Sequence, residues 1–250
     1  MNYVPGDLRD QLAHVGYDVV QAGLVCGSGG NLSARIPDED ACWVTASGAW
    51  LDRLSRTTFA QVRITDGEPA AVGALPPSRV EPTSELALHL ALYRTRPDVN
   101  AVIHLHPQTA LLLDALGEHV RIVTTDHAFY LRRVSTVPFR LPGTVELASL
   151  TAAMAADGTD CLVLSQHGCV VMADTVELAH KRARNLEEAA TLTYRALAAG
   201  EWFRLDLPEE LGGFGAPHAL TWAAFEMVLG ANPAVFMYGS WAAFAAVLHE

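Results

Sequence analysis

Apolar side chains recur at helical spacing over residues 7–25, where Leu8, Leu12, Val15, Val19 and Ala22 fall on one face, and the pattern stops at Cys26-Gly27-Ser28-Gly29-Gly30. This predicts an amphipathic helix closed by a glycine-rich turn. The rhythm then shortens to strand-like runs at 32–36, 41–45 and 59–64, punctuated by PDED and SGAW, with TDGE as a hairpin turn before a further weak strand. From Thr83 to about Arg96 the spacing is helical again, residues 100–106 read as an apolar strand, and 108–116 as another helix. Strands are expected at 121–125, 134–137, 161–164 and 169–173, with a helix at 144–156. A long helix follows, capped by Asp174 or Thr175 and rich in good helix formers to Gly200. Beyond Glu201, LGGFGAPH interrupts one or two apolar helices. Without an internal repeat or a sharp change in composition, residues 1–200 read as one domain and 201–250 as a helical extension packed on it.

Composition narrows what such a fold would do. Half of the 250 residues are hydrophobic, enough for a sizeable core, yet no window holds the roughly 18 apolar residues of a membrane span. The N-terminus MNYVPGDLRD lacks a basic start followed by an apolar stretch, so the expected location is cytoplasmic, with no membrane partner. A formal net charge of -11 speaks against nucleic acid, whose phosphates call for clustered Lys and Arg. A small anion remains compatible, held by backbone amides and hydroxyls beside a metal ion. Cys26, Cys42, Cys161 and Cys169 form no Cys-x-x-Cys pair and read as reduced, mostly packed thiols.

The chemistry-bearing residues lie in three segments. In Asn100-Ala101-Val102-Ile103-His104-Leu105-His106-Pro107, a strand projects His104 and His106 from one face while Ile103 and Leu105 point the other way. The plain alternative is a half-buried strand whose polar face carries two histidines; the functional one is a pair of metal ligands, to which a catalytic site adds a third and leaves one position open. His167, in Ser165-Gln166-His167-Gly168 between two apolar runs, sits at a hairpin tip from which a side chain reaches an adjacent strand. Glu85, in Glu81-Pro82-Thr83-Ser84-Glu85, lies in the first turn of the helix that Thr83 or Ser84 opens, where the helix dipole alone would favour an acid. His14, His89, His119, His127, His180, His218 and His249 lack such partners and read as exposed or as satisfied structural histidines.

In order along the chain, GSGGNLSAR, VTASGAWLDRL, EPTSELALHLALYRTRPDVNAVIHLHP, VPFRLPGTVELA and LVLSQHGCVVMADTVELAHKRARNLEEAATL resemble the class II aldolase/adducin family, and within it the fuculose-1-phosphate aldolase branch. The resemblance implies an α/β fold, a three-layer α/β/α sandwich around a mixed, largely antiparallel sheet, assembled as a cyclic homotetramer with active sites between subunits. It also implies a Zn²⁺ ion, or Mn²⁺, Fe²⁺ or Co²⁺ in its place, bound by His104, His106 and His167, with Glu85 as a further ligand at rest and as the proton-transfer group during turnover. The family's phosphate pocket falls on Gly30, Asn31, Ser47, Gly48, Thr83 and Ser84, and its C-terminal catalytic tyrosine on Tyr238.

The expected reaction is retro-aldol cleavage of a ketose 1-phosphate to dihydroxyacetone phosphate and an aldehyde, through a metal-stabilised enediolate. Epimerases of this family carry an extra acid in the segment resembling DHAFYLRR, where Phe129 stands here, so epimerisation is disfavoured; Tyr130 does not align securely with the aldolases' proton-donating tyrosine. Decarboxylation of a β-keto or aromatic acid is the main enzymatic rival, and dehydration uses the same scaffold. A non-catalytic, adducin-like assembly module is opposed by the presence of Glu85 and all three histidines.

Overall fold

The computed structural model describes residues 6–71 and 79–200. The chain divides into two compact units, Met1–Thr191 and Leu192–Glu250, and the second is described only where it ends the last helix. Strands β1 (Asn31–Arg35), β2 (Ala41–Thr45), β3 (Phe59–Arg63), β4 (Ala101–Leu105), β5 (Ser135–Val137), β6 (Cys161–Leu164) and β7 (Gly168–Ala173) form one sheet in the order β3-β2-β1-β4-β7-β6-β5. Every neighbouring pair is antiparallel except β5 with β6. The helices are α1 (Leu8–Gln21), α2 (Leu86–Thr95), α3 (Gln108–Ala115), α4 (Thr125–Tyr130), α5 (Val145–Ala155) and α6 (Val176–Gly200).

Two helical layers cover the sheet. On one face, Leu88 and Leu92 of α2 and Leu147, Ala152 and Ala155 of α5 pack in one core with Val44, Val102, Val170 and Met172. The alternate residues, such as Cys169, turn to the other face, where Asp114 of α3 and Glu187 of α6 lie close to that thiol. Glu187 also accepts from the first amides of α3, Thr109 and Ala110, which ties the two helices together. Asp18 of α1 bonds His180 and Arg184 of α6. The three-layer expectation therefore holds.

Local chemistry explains where element ends depart from the apolar pattern. Asp7 caps α1 by accepting from the Arg9 amide, and the helix stops at Gln21 rather than near residue 25 because Gly23 adopts a φ of 72° and closes the last turn. The strand expected at 121–125 does not form. Thr124 accepts from the His127 amide and so starts α4, while Ile122 and Val123 stay exposed. The TDGE turn is present, with Gly67 at a φ of 84°, and is followed by the isolated bridge between Val62 and Pro69. Residues 201–250, including Tyr238, lie outside the described residues. Among those described, no helix is long and apolar enough to cross a membrane.

Candidate metal centre and active-site pocket

Strand register assembles the site. Asn31 of β1 lies directly opposite His104 of β4, so both side chains leave the same face of the sheet, the one beneath α2. His106 follows two residues later, immediately beyond β4. On the other side of β4, Leu105 pairs with Cys169 of β7, and the β6–β7 turn beside that pair carries His167. Gln166 takes a φ of 56° at this turn, and Asp114 pins it by accepting from the Ser165 hydroxyl and the Gln166 amide. Glu85 precedes α2 rather than occupying its first turn, and its side chain makes no capping bond. The helix N-terminus still favours a negative charge there, but no capping bond directs the side chain, which is held by other partners.

Three imidazoles and this carboxylate converge. Their ring centroids are 4.9 Å apart for His104 and His106, 4.7 Å for His104 and His167, and 5.4 Å for His106 and His167. His104 Nε2 lies 3.1 Å from His106 Nε2 and 2.9 Å from Glu85 Oε2, while His167 Nε2 is 3.3 Å from Glu85 Oε1. Glycine makes this approach possible: a Cβ on Gly168 would stand 2.5 Å from the Leu105 carbonyl oxygen, 2.7 Å from the His106 ring and 2.8 Å from the His104 ring. Gly30, at a φ of 73°, would likewise drive a Cβ to 2.6 Å from the His104 carbonyl oxygen.

The donor set fits a divalent transition-metal ion. The Nδ1–H of fully buried His104 donates to the Cys169 carbonyl at 3.0 Å, which leaves its Nε2 lone pair facing the other donors. Nitrogen ligands at about 2.0–2.1 Å from one tetrahedral ion stand roughly 3.3 Å apart, close to the spacing between these two imidazoles. Among the described residues, Glu85 Oε1 and His167 Nδ1 are buried without a hydrogen-bond partner. Such an orphaned carboxylate oxygen beside converging lone pairs calls for a cation.

Electrostatics agrees with that need. Burial on its own would raise the Glu85 carboxyl, but the bond and positive charge at His104, the Asn31 bond and the charge at His167 outweigh it and hold the group well below the usual carboxylate range. Burial, aided by the neighbouring imidazoles, pushes His106 down to about 4 and lowers His167 as well. Near neutral pH these two rings therefore keep free lone pairs. The positive charge that Glu85 faces must then be supplied by a proton on an imidazole or by a cation among them.

Glu85, His106 and His167 form one wall of a pocket of about 230 Å³, with His104 buried behind them. Of the residues expected to hold phosphate, Gly30, Asn31, Gly48, Thr83 and Ser84 line it, whereas Ser47 is exposed beside it and does not. Among the described residues, no Lys or Arg lines it. Pro142 stands at the lip, and Gly143 packs against the Ser84 carbonyl. Tyr130 does not line the pocket; its ring stacks edge-on against Phe129, which is 68% exposed. Sequence reasoning passed over three contributors. Gly168 was legible only as the residue after His167, Asp114 is 51 positions from Ser165, and His89 reads as a structural histidine.

Fold and site together define an aldolase-type lyase. The chain belongs to the class II aldolase and adducin family, whose sequence model, described as Class II Aldolase and Adducin N-terminal domain, matches residues 10–194. It is 30% identical over 190 residues to an L-fuculose phosphate aldolase of Methanococcus vannielii, covering 75% of this chain and 96% of that one. It is 31% identical over 210 residues to a 3-oxo-tetronate 4-phosphate decarboxylase of Escherichia coli K12, covering 79% and 94%. A solved structure of L-fuculose 1-phosphate aldolase superposes with a TM-score of 0.69 at 27% identity, over 83% of this chain and 93% of that one.

Proposed function

We propose that this chain cleaves a ketose 1-phosphate between C3 and C4, releasing dihydroxyacetone phosphate and an aldehyde. The observation that carries the reading is the convergence of His104, His106 and His167 with Glu85 beside a pocket that Glu85, His106 and His167 line together with amide and hydroxyl donors, His104 being buried behind them. His104, His106 and His167 hold a divalent ion, with Glu85 beside them; Zn²⁺ suits the donors, as do Mn²⁺, Fe²⁺ and Co²⁺. A bound ion supplies Lewis-acid stabilisation of the negative charge that develops as the bond breaks. The phosphate rests near the start of α2, where Thr83, Ser84 and the amides of Gly30 and Gly48 offer donors, no Lys or Arg lining the pocket among the described residues.

Glu85 moves the proton, and its two oxygens divide the work. Oε2 accepts from Asn31 and lies 2.9 Å from His104 Nε2, whereas Oε1 has no hydrogen-bond partner among the described residues. Oε1 takes the proton of the C4 hydroxyl as the C3–C4 bond breaks and returns one proton to C3 of the enediolate, so the step balances without a further acid. Apolar side chains flank the lip: Leu141 and Val145, 65% and 73% exposed, stand close to Pro142 and fit burial against a second copy of the chain. A homotetramer with sites between subunits, and a role for Tyr238, follow from the family resemblance.

Decarboxylation of a 3-oxo sugar acid phosphate is the second reading. Identity to the decarboxylase extends over 210 residues, and no tyrosine lines the described pocket. The deciding experiment incubates the metal-loaded protein with fuculose 1-phosphate, ribulose 1-phosphate and a 3-oxo-tetronate 4-phosphate. Dihydroxyacetone phosphate release that stops on chelation is expected. Carbon dioxide from the acid alone replaces the first reading with the second, and no metal-dependent product from any of them removes both.

A further inference from the structure

Behind Glu85, a second set of polar side chains lies inside the protein. Asn31 Nδ2 donates to Glu85 Oε2 at 3.0 Å, and Asn31 Oδ1 is 2.5 Å from His89 Nε2. His89 Nδ1 is 2.7 Å from Ser33 Oγ, which is 2.7 Å from the Tyr93 hydroxyl. His89 and Ser33 are 0% exposed and Tyr93 is 1% exposed, so solvent satisfies none of them from outside. Two repeats interlock here: Glu85, His89 and Tyr93 fall every four residues on one stripe of the α2 segment, and Asn31 and Ser33 every two residues on one face of β1.

The bonds can run in only one direction. An ionised carboxylate only accepts, so Asn31 must turn its NH₂ to Glu85 and its oxygen to His89. His89 Nε2 must then carry the hydrogen. Burial holds this imidazole neutral, with its pKa lowered to about 3, so Nδ1 is an acceptor. Ser33 therefore donates to Nδ1 and accepts from Tyr93. An apolar set of the same shape would fill this core without desolvating four polar groups, as Leu88 and Leu92 do beside it. What the network adds is an orientation of the Asn31 amide that cannot flip.

We propose that His89 is a positioning residue: through Asn31 it fixes which oxygen of Glu85 is tied and which faces the pocket. This rests on the reading of Glu85 as the proton-transfer group. Without the His89 donor, Asn31 Oδ1 is left buried with no partner and the amide is no longer held from behind, so the Asn31 bond that distinguishes Oε2 from Oε1 of Glu85 is loosened.

Two kinds of measurement test it. Imidazole nitrogen-15 spectra of the full chain at neutral pH, with His89 identified by loss of its signals in His89→Gln, should show a neutral ring protonated on Nε2; protonation on Nδ1 overturns the proposal. This requires neither substrate nor metal. With the substrate found above, His89→Met should lower kcat by about 10- to 100-fold while KM stays within about threefold and metal content is unchanged. His89→Gln, which keeps a donor toward Asn31, should recover most of kcat. Wild-type kcat in His89→Met overturns the proposal, as does equal impairment of both variants with loss of metal, the mark of a packing role alone. If no substrate is turned over, the proposed reaction fails, and the d–d absorption of the Co²⁺-loaded proteins still decides the positioning role. It should differ from wild type in His89→Met and return in His89→Gln; identical spectra in all three overturn the proposal.

Discussion

Asn31 and His104 are direct partners across the β1–β4 pair, so a donor to Glu85 and an imidazole facing that carboxylate leave the sheet side by side. The pairing makes Glu85 a shared neighbour of two strands and of the start of α2. The acid is thereby held through Oε2, while Oε1, 3.3 Å from His167 Nε2, makes no hydrogen bond among the described residues, an arrangement suited to proton transfer.

Loss of a ligand and loss of the proton carrier should be separable. His106→Ala removes one of three converging nitrogen donors, and is expected to abolish stoichiometric metal by elemental analysis together with activity. Glu85→Gln retains an oxygen toward the cluster but cannot carry the proton; metal content should stay near wild type while kcat falls about 10²- to 10⁴-fold. Full activity in Glu85→Gln would reject its assigned role.

Gly168 offers a test with no change of charge. A methyl group there meets the Leu105 carbonyl and both the His104 and His106 rings at under 3 Å. Gly168→Ala should therefore cost about 1–3 kcal/mol of stability in denaturant titrations of the chelated protein. Its metal affinity should fall at least about tenfold, because the rings must part. Unchanged affinity would show that ring spacing is not controlled by this close approach.

Acid should destabilise the chelated protein in a particular window. Burial depresses His89 to about 3, against about 6.5 for an unfolded histidine. Between those values the unfolded chain binds a proton that the folded protein does not, so stability rises with pH and is lost as pH falls below about 6.5. The slope for this one group is about 1.4 kcal/mol per pH unit. His106, with its pKa pushed down to about 4, adds a contribution of the same sign. Urea midpoints measured from pH 7 to pH 4 should fall accordingly, and more gently in His89→Gln. Equal slopes in the two proteins would mean that His89 is charged in the folded state.

How much of this was legible beforehand follows from which forces are local. Alternation of apolar residues around His104 and His106 marked β4 and the ligand face, and the polar gap between two apolar runs marked the turn that carries His167. What joined them was the β4–β7 pairing, a contact between segments more than sixty residues apart that no local pattern encodes. Ile122 and Val123 suggested a strand, but the cap formed by Thr124 decided the matter in favour of a helix. His89 lay hidden for a different reason: a histidine on the buried stripe of α2 has the same spacing whether its ring merely packs or holds Asn31 in one orientation. His127 departs from the exposed or satisfied structural histidine expected of it, being fully buried with neither ring nitrogen bonded among the described residues.

Asp114 tests how far from the ligands the site can be weakened. It sits near the end of α3, and its Oδ2 receives both the Ser165 hydroxyl at 3.1 Å and the Gln166 amide at 2.8 Å, two residues and one residue before His167. Gln166 holds a left-handed conformation, which a residue with a side chain adopts at some cost unless its surroundings insist on it. Asp114→Ala removes the acceptor of both bonds and should let the turn relax, carrying His167 off line while His104 on β4 and His106 just beyond it stay in place. Outer partners of metal ligands typically contribute about 10- to 100-fold to affinity, so metal binding should weaken by that factor with little change in overall secondary structure by circular dichroism. Asp114→Asn keeps one oxygen acceptor and should fall between. If both variants bind metal as tightly as wild type, the turn holds His167 in place without α3, and the β6–β7 pairing alone positions the third ligand.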